Sequence, residues 1–167
     1  VARTKRLLNC DRSSIFLLTE SGQELTTIFA ENTPQISIPA DSHSIAGESV
    51  TRGNIINLER AADHPSFNAN IDRQTGYKTR SMLVMPIRSM QSSGGQMMLG
   101  GKPIGVVQCI NKLGRGVAGK PPVFSHEDES TLGDFCQQLS PIVDKVRAKK
   151  RKAQFTRTRN SGLTHRA

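Results

Sequence analysis

The chain has 167 residues, with 23 Lys and Arg against 14 Asp and Glu, for a formal net charge of +9. That length gives one ordinary domain with enough core to fold without metal or disulfide help. From Arg147 onward there are eight basic residues and no acids, which leaves residues 1–146 with 15 basic against 14 acidic groups. The alkaline balance therefore belongs to a tail (147–167), and a nucleic-acid footprint over a domain face is disfavoured. No apolar run approaches the roughly 18 residues of a membrane span. Val1-Ala2-Arg3-Thr4-Lys5-Arg6 has no apolar stretch behind it to make a signal peptide. A first residue other than Met points to an excerpt of a longer protein. Cys10, Cys109 and Cys136 are odd in number, lack a CxxC spacing and have apolar neighbours, and they read as reduced, buried thiols of a cytoplasmic protein.

In chain order, the apolar run 13–18 between Asp11-Arg12 and Glu20-Ser21-Gly22 predicts a central strand. Ser21-Gly22-Gln23 then turns into a Thr-, Ile- and Phe-containing strand over 24–30. Ile36-Ser37-Ile38-Pro39 reads as a short edge strand stopped by proline. Residues 42–52 have helical spacing with capping candidates in front and Gly53 behind. A short strand follows at 55–58, and the polar stretch 59–80 has room for one or two helical turns. Residues 82–87 and 104–110 are the strongest strands. The Ser/Gly/Met segment 89–101 between them predicts a flexible hairpin loop. From Ser125 a helix carries Leu132, Phe135, Cys136, Leu139, Ile142, Val143 and Val146 on its apolar stripe, with Pro141 inside as a kink candidate. Strands in adjacent pairs with helices before and after predict an α+β fold on a central antiparallel sheet, with a long C-terminal helix.

Motifs of catalysis are missing from the sequence: it has no P-loop, HExxH, GxSxG or Cys/His metal spacing. His43, His64, His126 and His165 stand too far apart to be read as ligands, so no metal and no catalytic residue is assigned. Gly114-Arg115-Gly116-Val117-Ala118-Gly119 matches GxGxxG after a strand, but Lys120-Pro121-Pro122 cannot open the helix that a pyrophosphate needs. It reads as a loop.

Two ordered constellations carry a resemblance. Residues 72–87, from Asp72-Arg73-Gln74-Thr75-Gly76-Tyr77-Lys78-Thr79-Arg80-Ser81 through Met82-Leu83-Val84-Met85-Pro86-Ile87, resemble the signature of GAF domains from cyclic-nucleotide phosphodiesterases. Asn111-Lys112, an eleven-residue spacer, Phe124, and then Asp128-Glu129 are similar to that family's N-K-(spacer)-F-x-x-x-D-E motif. Cys10-Asp11-Arg12, Ile45-Ala46-Gly47 and Asp63-His64-Pro65-Ser66-Phe67-Asn68 fall in the family's order. The resemblance implies a GAF domain over 1–146 with its N-terminal helix truncated, and a regulatory role that encloses a cyclic nucleotide, cGMP or cAMP, against the sheet.

On that resemblance, the backbone amides at Ile45 and Ala46 hold the phosphate at a helix N-terminus, where one negative charge needs no metal. Thr75 and Thr79, four apart on one helical turn, direct hydroxyls toward phosphate and ribose. Asp72 and Tyr77 belong to the same signature. Phe29 matches a purine-stacking position, and Ser14 and Gln108 stand where base edges are read. Ala30 occupies a position that is often Asp in guanine-binding relatives, and the amide of Gln108 can meet guanine or adenine, so the base stays open. Lys112 and Asp128 are expected to pair and fix the 113–124 loop over the pocket, with Asn111, Phe124 and Glu129 as architecture. Hydrolysis in the family belongs to a separate two-metal domain, so this chain itself is read as non-catalytic. It is expected to signal to a downstream catalytic domain in the same protein and to pair as a homodimer through its terminal helix. A GAF domain without ligand, serving as a dimerisation scaffold, is the competing reading. The basic run from Arg147 reads as a solvated linker.

Overall fold

The computed structural model describes residues 1–30, 36–93 and 96–161, with the backbone alone at Phe29, Ala30, Ser93, Met97, Leu99 and 150–161. A short helix α1 (Ala2–Leu8) ends at Asn9, which takes the left-handed conformation and returns its N–H to the helix carbonyls. Strand β1 (Cys10–Leu18) is longer than its apolar run because Cys10 and Arg12 also pair, opposite Lys112 and Ile110. A turn at Gly22, with φ 72°, leads into β2 (Glu24–Ala30), and the edge strand β3 (Ser37–Pro39) follows. Helix α2 (Ile45–Arg52) opens on Ser44, whose hydroxyl accepts from Gly47 N–H, and closes on left-handed Gly53. Then come β4 (Ile56–Leu58), a 3-10 turn at Ala61–Asp63, and α3 (Ala69–Thr75), which is stopped by left-handed Gly76. The chain continues with β5 (Met82–Ser93), β6 (Gln96–Lys112) and α4 (His126–Ser161).

The six strands form one sheet in the order β3-β2-β1-β6-β5-β4, and every pairing is antiparallel. The fold is α+β, with helices on both faces of a central antiparallel sheet. Alternation along the inner strands sends Ile15, Leu17, Leu83, Met85, Ile87, Val107 and Cys109 to one face, where Leu132, Cys136 and Val143 of α4 meet them. Phe16, Met82, Val84 and Val106 go to the other face, against Ile45, Ala46 and Val50 of α2. Burial on both faces is why these strands read as continuous apolar runs and not as alternation.

Two expectations change. Of the segment 89–101, predicted to be a flexible hairpin loop, residues 89–93 and 96–101 are strand: Met90 pairs with Leu99, Gln91 with Met98 and Ser92 with Met97, while 94–95 lie outside the described residues. Its polar composition misleads because a hairpin arm reaching past the core has no face that must be apolar. The basic segment, predicted to be a linker from 147, has helical backbone as the continuation of α4 to Ser161. Its Lys, Arg, Ala and Gln residues are good helix formers. Residues 162–167 lie outside the described residues. Pro141 sits inside α4.

Candidate functional site

Between the α2 face of the sheet and the covering segment 66–79 lies a cavity of about 650 Å³. That is within the range of roughly 300–1,000 Å³ typical of small-molecule sites. Its floor is strand: Ser14 and Phe16 of β1, Gln108 and Ile110 of β6, and Met82 of β5. Ser14 and Gln108 are cross-strand partners, so the two polar side chains stand side by side on the floor, next to Phe16, Met82 and Ile110. Ile45 and Ala46, at the start of α2, form one wall, and Asp72, Thr75, Tyr77 and Thr79 form another. The structure thus gathers Ser14, Ile45, Ala46, Asp72, Thr75, Tyr77, Thr79 and Gln108 around one space. Phe29 and Ala30 pair by backbone with Ile15 and Ser14, and their side chains lie outside the described residues.

The α2 end of the cavity is a donor site. Ser44 satisfies two of the first-turn amides, with its hydroxyl accepting from Gly47 N at 2.9 Å and its carbonyl accepting from Glu48 N at 2.8 Å. The amides of Ile45 and Ala46 find no acceptor among the described residues. They carry the positive end of the helix dipole at the cavity wall.

The opposite wall differs from the expectation of one helical turn. Gly76 ends α3 right after Thr75, so Thr79 lies beyond the helix in an irregular segment. The Thr75 hydroxyl donates to Ile71 O at 2.7 Å. Thr79 donates through Oγ1 and N to the two carboxylate oxygens of Asp72, at 2.8 and 2.7 Å. Both hydroxyl protons are therefore committed to local acceptors, and what Asp72 and Thr79 do together is close the loop back onto α3.

Asn111 holds that wall to the sheet. It is 2 % exposed and left-handed, with φ 57°, a conformation that asparagine tolerates better than most residues. Its side-chain oxygen accepts from Arg80 N at 2.6 Å, and its amide donates to Lys78 O at 2.8 Å and to the Tyr77 hydroxyl at 2.9 Å. Tyr77 in turn donates to Asp11 Oδ2 at 2.7 Å, while the Arg12 guanidinium lies 3.6 Å over its ring. Burial, with the Asp11 carboxylate, pushes the Tyr77 phenol far above its ordinary value, so it remains a donor. Asp11, Arg12, Phe67 and Asn68 also line the cavity. In the sequence they stand only as landmarks of family order, because the Arg12–Tyr77 contact spans the whole sheet-to-loop connection and leaves no local pattern.

The second motif sits outside the cavity. Lys112 Nζ lies 2.7 Å from Asp128 Oδ1 and also donates to Leu8 O at 2.8 Å. Asp128 Oδ2 accepts from Ser125 N while Ser125 Oγ accepts from Asp128 N, a reciprocal cap on α4. Glu129 accepts from Asn57 Nδ2 at 2.7 Å, which ties α4 to β4. Phe124 is buried. None of residues 113–124 lines the cavity, so the pair fixes this loop at the α1–α4 edge of the domain and not over the pocket. The GxGxxG-like run is irregular backbone within it.

A family model, GAF domain, matches residues 1–142. The chain is a GAF domain. This GAF domain is 30% identical, over 167 aligned positions, to the probable 3',5'-cyclic phosphodiesterase pde-5 of Caenorhabditis elegans, covering 89% of this chain and 21% of that protein. It is 30% identical to the dual 3',5'-cyclic-AMP and -GMP phosphodiesterase 11A of Takifugu rubripes, covering 75% and 14% respectively. The chain thus spans 14–21% of the length of these curated relatives. Among solved structures it is similar to the GAF domain of an Acinetobacter phosphoenolpyruvate-protein phosphotransferase (24% identity, TM-score 0.66, covering 90% of this chain and 81% of that one). It is also similar to the type II free methionine-R-sulfoxide reductase of Thermoplasma acidophilum (21% identity, TM-score 0.62, covering 86% and 89%). These likenesses establish the fold. In this GAF domain all three cysteines are free and buried, and burial pushes the Cys136 thiol up to about 12. Among the described residues no group of three His, Cys, Asp or Glu side chains is arranged to hold a metal ion, and no helix is long and apolar enough to cross a membrane.

Proposed function

We propose that this GAF domain is a regulatory sensor that binds a 3',5'-cyclic nucleotide in the cavity between the sheet and the segment 66–79, at the start of α2. The observation that carries the reading is the pair of amides at Ile45 and Ala46, without an acceptor among the described residues, set at one end of a cavity whose floor carries the adjacent Ser14 and Gln108 side chains. A cyclic phosphate has one negative charge, which first-turn amides suit. Ser14 and Gln108 offer donors and acceptors for a base edge, and because an amide presents both, guanine and adenine both fit. The likeness to phosphodiesterases supports a catalytic domain elsewhere in the same cytoplasmic protein as the recipient of the signal, with α4 as the exit.

A second reading, a ligand-free dimerisation scaffold, is favoured by Leu7 and Ile142, which are 47% and 58% exposed on the neighbouring helices α1 and α4. A homodimer through α4 is expected under both readings, so the pocket discriminates between them. A thermal-shift series with cGMP and cAMP tests it. Ligand at 100 times its dissociation constant adds about 2.7 kcal/mol of stability, and an unmoved melting temperature with both nucleotides at millimolar concentration favours the scaffold.

A further inference from the structure

Arg88 stands where β5 is least regular and where both layers of helices touch it. The β5–β6 register shifts on each side of it, between Ile87 and Arg88 and between Arg88 and Met90. On the cavity face its guanidinium donates to Gly53 O, the C-cap of α2, at 2.7 Å, and to Gly101 O at 3.2 Å. The fit to α2 is close: a Cβ at Gly53 would stand 2.9 Å from Arg88 Nη2. On the other face the Arg88 carbonyl accepts from the hydroxyl of Ser140 in α4. One turn further along, Asp144 Oδ2 accepts from Met90 N at 2.9 Å. Ser140 is fully buried. Both β5 groups lie at this break in the β5–β6 register, and α4 takes them up. One residue therefore grips the end of α2 with its side chain and is itself gripped by α4 through its backbone.

We propose that Arg88 is the positioning residue that couples the cavity to α4, passing occupancy at the start of α2 to the terminal helix. This rests on the sensing function proposed above. Helix α2 has eight residues, about 12 Å from end to end at 1.5 Å per residue. It is short enough to move as one rod. Its two ends are complementary: the Ile45 and Ala46 amides, without an acceptor among the described residues, stand at the cavity at the N-terminus, and a guanidinium sits on the C-terminal carbonyl, where a cation favours the helix dipole. An anion drawn onto Ile45 and Ala46 shifts the rod along its axis and changes the Gly53–Arg88 bond. The strand responds at the bulge, where the ladder is already broken, and Ser140 and Asp144 carry that change into α4. Coupling of this kind is reciprocal, so loosening the α4 end must alter affinity at the cavity although Ser140 lies on the opposite face of the sheet.

The test is hydrogen exchange along α4, with and without saturating cGMP or cAMP, in the 167-residue chain and in Arg88→Gln, Arg88→Lys and Ser140→Ala. Nucleotide changes exchange around residues 137–145 in the parent, Arg88→Gln abolishes that change because its neutral amide is too short to reach Gly53 O, and Arg88→Lys keeps part of it by restoring a longer, cationic donor. Ser140→Ala weakens nucleotide affinity about fivefold, the low end of typical coupling. Should Arg88→Gln fail to fold, the Ser140→Ala affinity decides alone. A parent that binds nucleotide without any change at α4, an α4 response that survives Arg88→Gln, or an unchanged affinity in Ser140→Ala overturns the link and leaves the sensing function standing. A parent that binds neither nucleotide overturns the sensing function and the link with it.

Discussion

The two faces of the sheet are closed by different physics. Toward α1 and α4, Leu83, Ile87, Val107 and Leu132 are fully buried in a continuous aliphatic layer. Toward α2, the apolar layer gives way to a cavity whose cover is held by hydrogen bonds: Asn111 to Lys78 and Arg80, Tyr77 to Asp11, and Asp72 to Thr79. Apolar burial is non-directional and tolerates no void. Hydrogen bonds hold a wall at a set distance from the floor and leave space behind it. The lesson is a division of labour, in which one face supplies stability and the other keeps a ligand-sized space open.

That division can be broken from either side. Asn111→Ala should have the largest effect, on the order of 4 kcal/mol, because it strips partners from Arg80 N and Lys78 O and puts alanine in a left-handed conformation. Denaturant unfolding measures the loss, and nucleotide affinity should fall with it as the wall comes free. Leu132→Ala should cost about 3 kcal/mol by cavity formation on the aliphatic face, yet leave affinity within about twofold. A parallel collapse of affinity there would erase the distinction between the faces. Lys112→Met leaves buried Asp128 without its cation and should cost about 2 kcal/mol, again with affinity kept, since no residue of the 113–124 loop reaches the cavity.

The smallest effect is a pH signature on the cavity face. Glu48 in α2 accepts the Ser66 hydroxyl at 2.6 Å, and this bond more than Arg52 or His64 holds its carboxyl below the usual range, against the upward push of burial. A depressed folded pKa stabilises at pH above the unfolded value, and the benefit is lost as pH falls through the folded one. Ser66→Ala should therefore lower the melting temperature near neutrality and have less effect below roughly pH 4, under the ordinary Glu value. An equal loss at both pH values would contradict the assignment.

Much of this fold was legible in the sequence, for identifiable reasons. The runs 82–87 and 104–110 announce inner strands because both of their faces are buried, and Gly53 closes α2 by ordinary capping chemistry, whereas the helix opens on Ser44, inside the span 42–52 that the spacing predicts. The hairpin arm past Arg88 was not legible, since a ribbon outside the core imposes no apolar pattern. Thr75 and Thr79 show the limit of spacing arguments: four residues apart implies one helix face only while the helix continues, and Gly76 ends it. Ile45, Ala46, Ser14 and Gln108 came from family order, and the structure brings them to one cavity. The roles of Asn111, Arg12 and Arg88 depend on contacts between distant parts of the chain, at a left-handed residue, over an aromatic ring and across a bulge. No local pattern encodes any of these.

The central claim is that an anionic cyclic nucleotide sits with its phosphate on the first-turn amides of α2 and its base on the Ser14–Gln108 floor. Calorimetric titration of the 167-residue chain with cGMP, cAMP, guanosine and adenosine tests it most directly. The account predicts saturable binding of at least one cyclic nucleotide at one site per chain, with the matching nucleoside roughly tenfold or more weaker for want of the charge-assisted bonds. Silence from both cyclic nucleotides at millimolar concentration, or equal affinity for nucleotide and nucleoside, would contradict it.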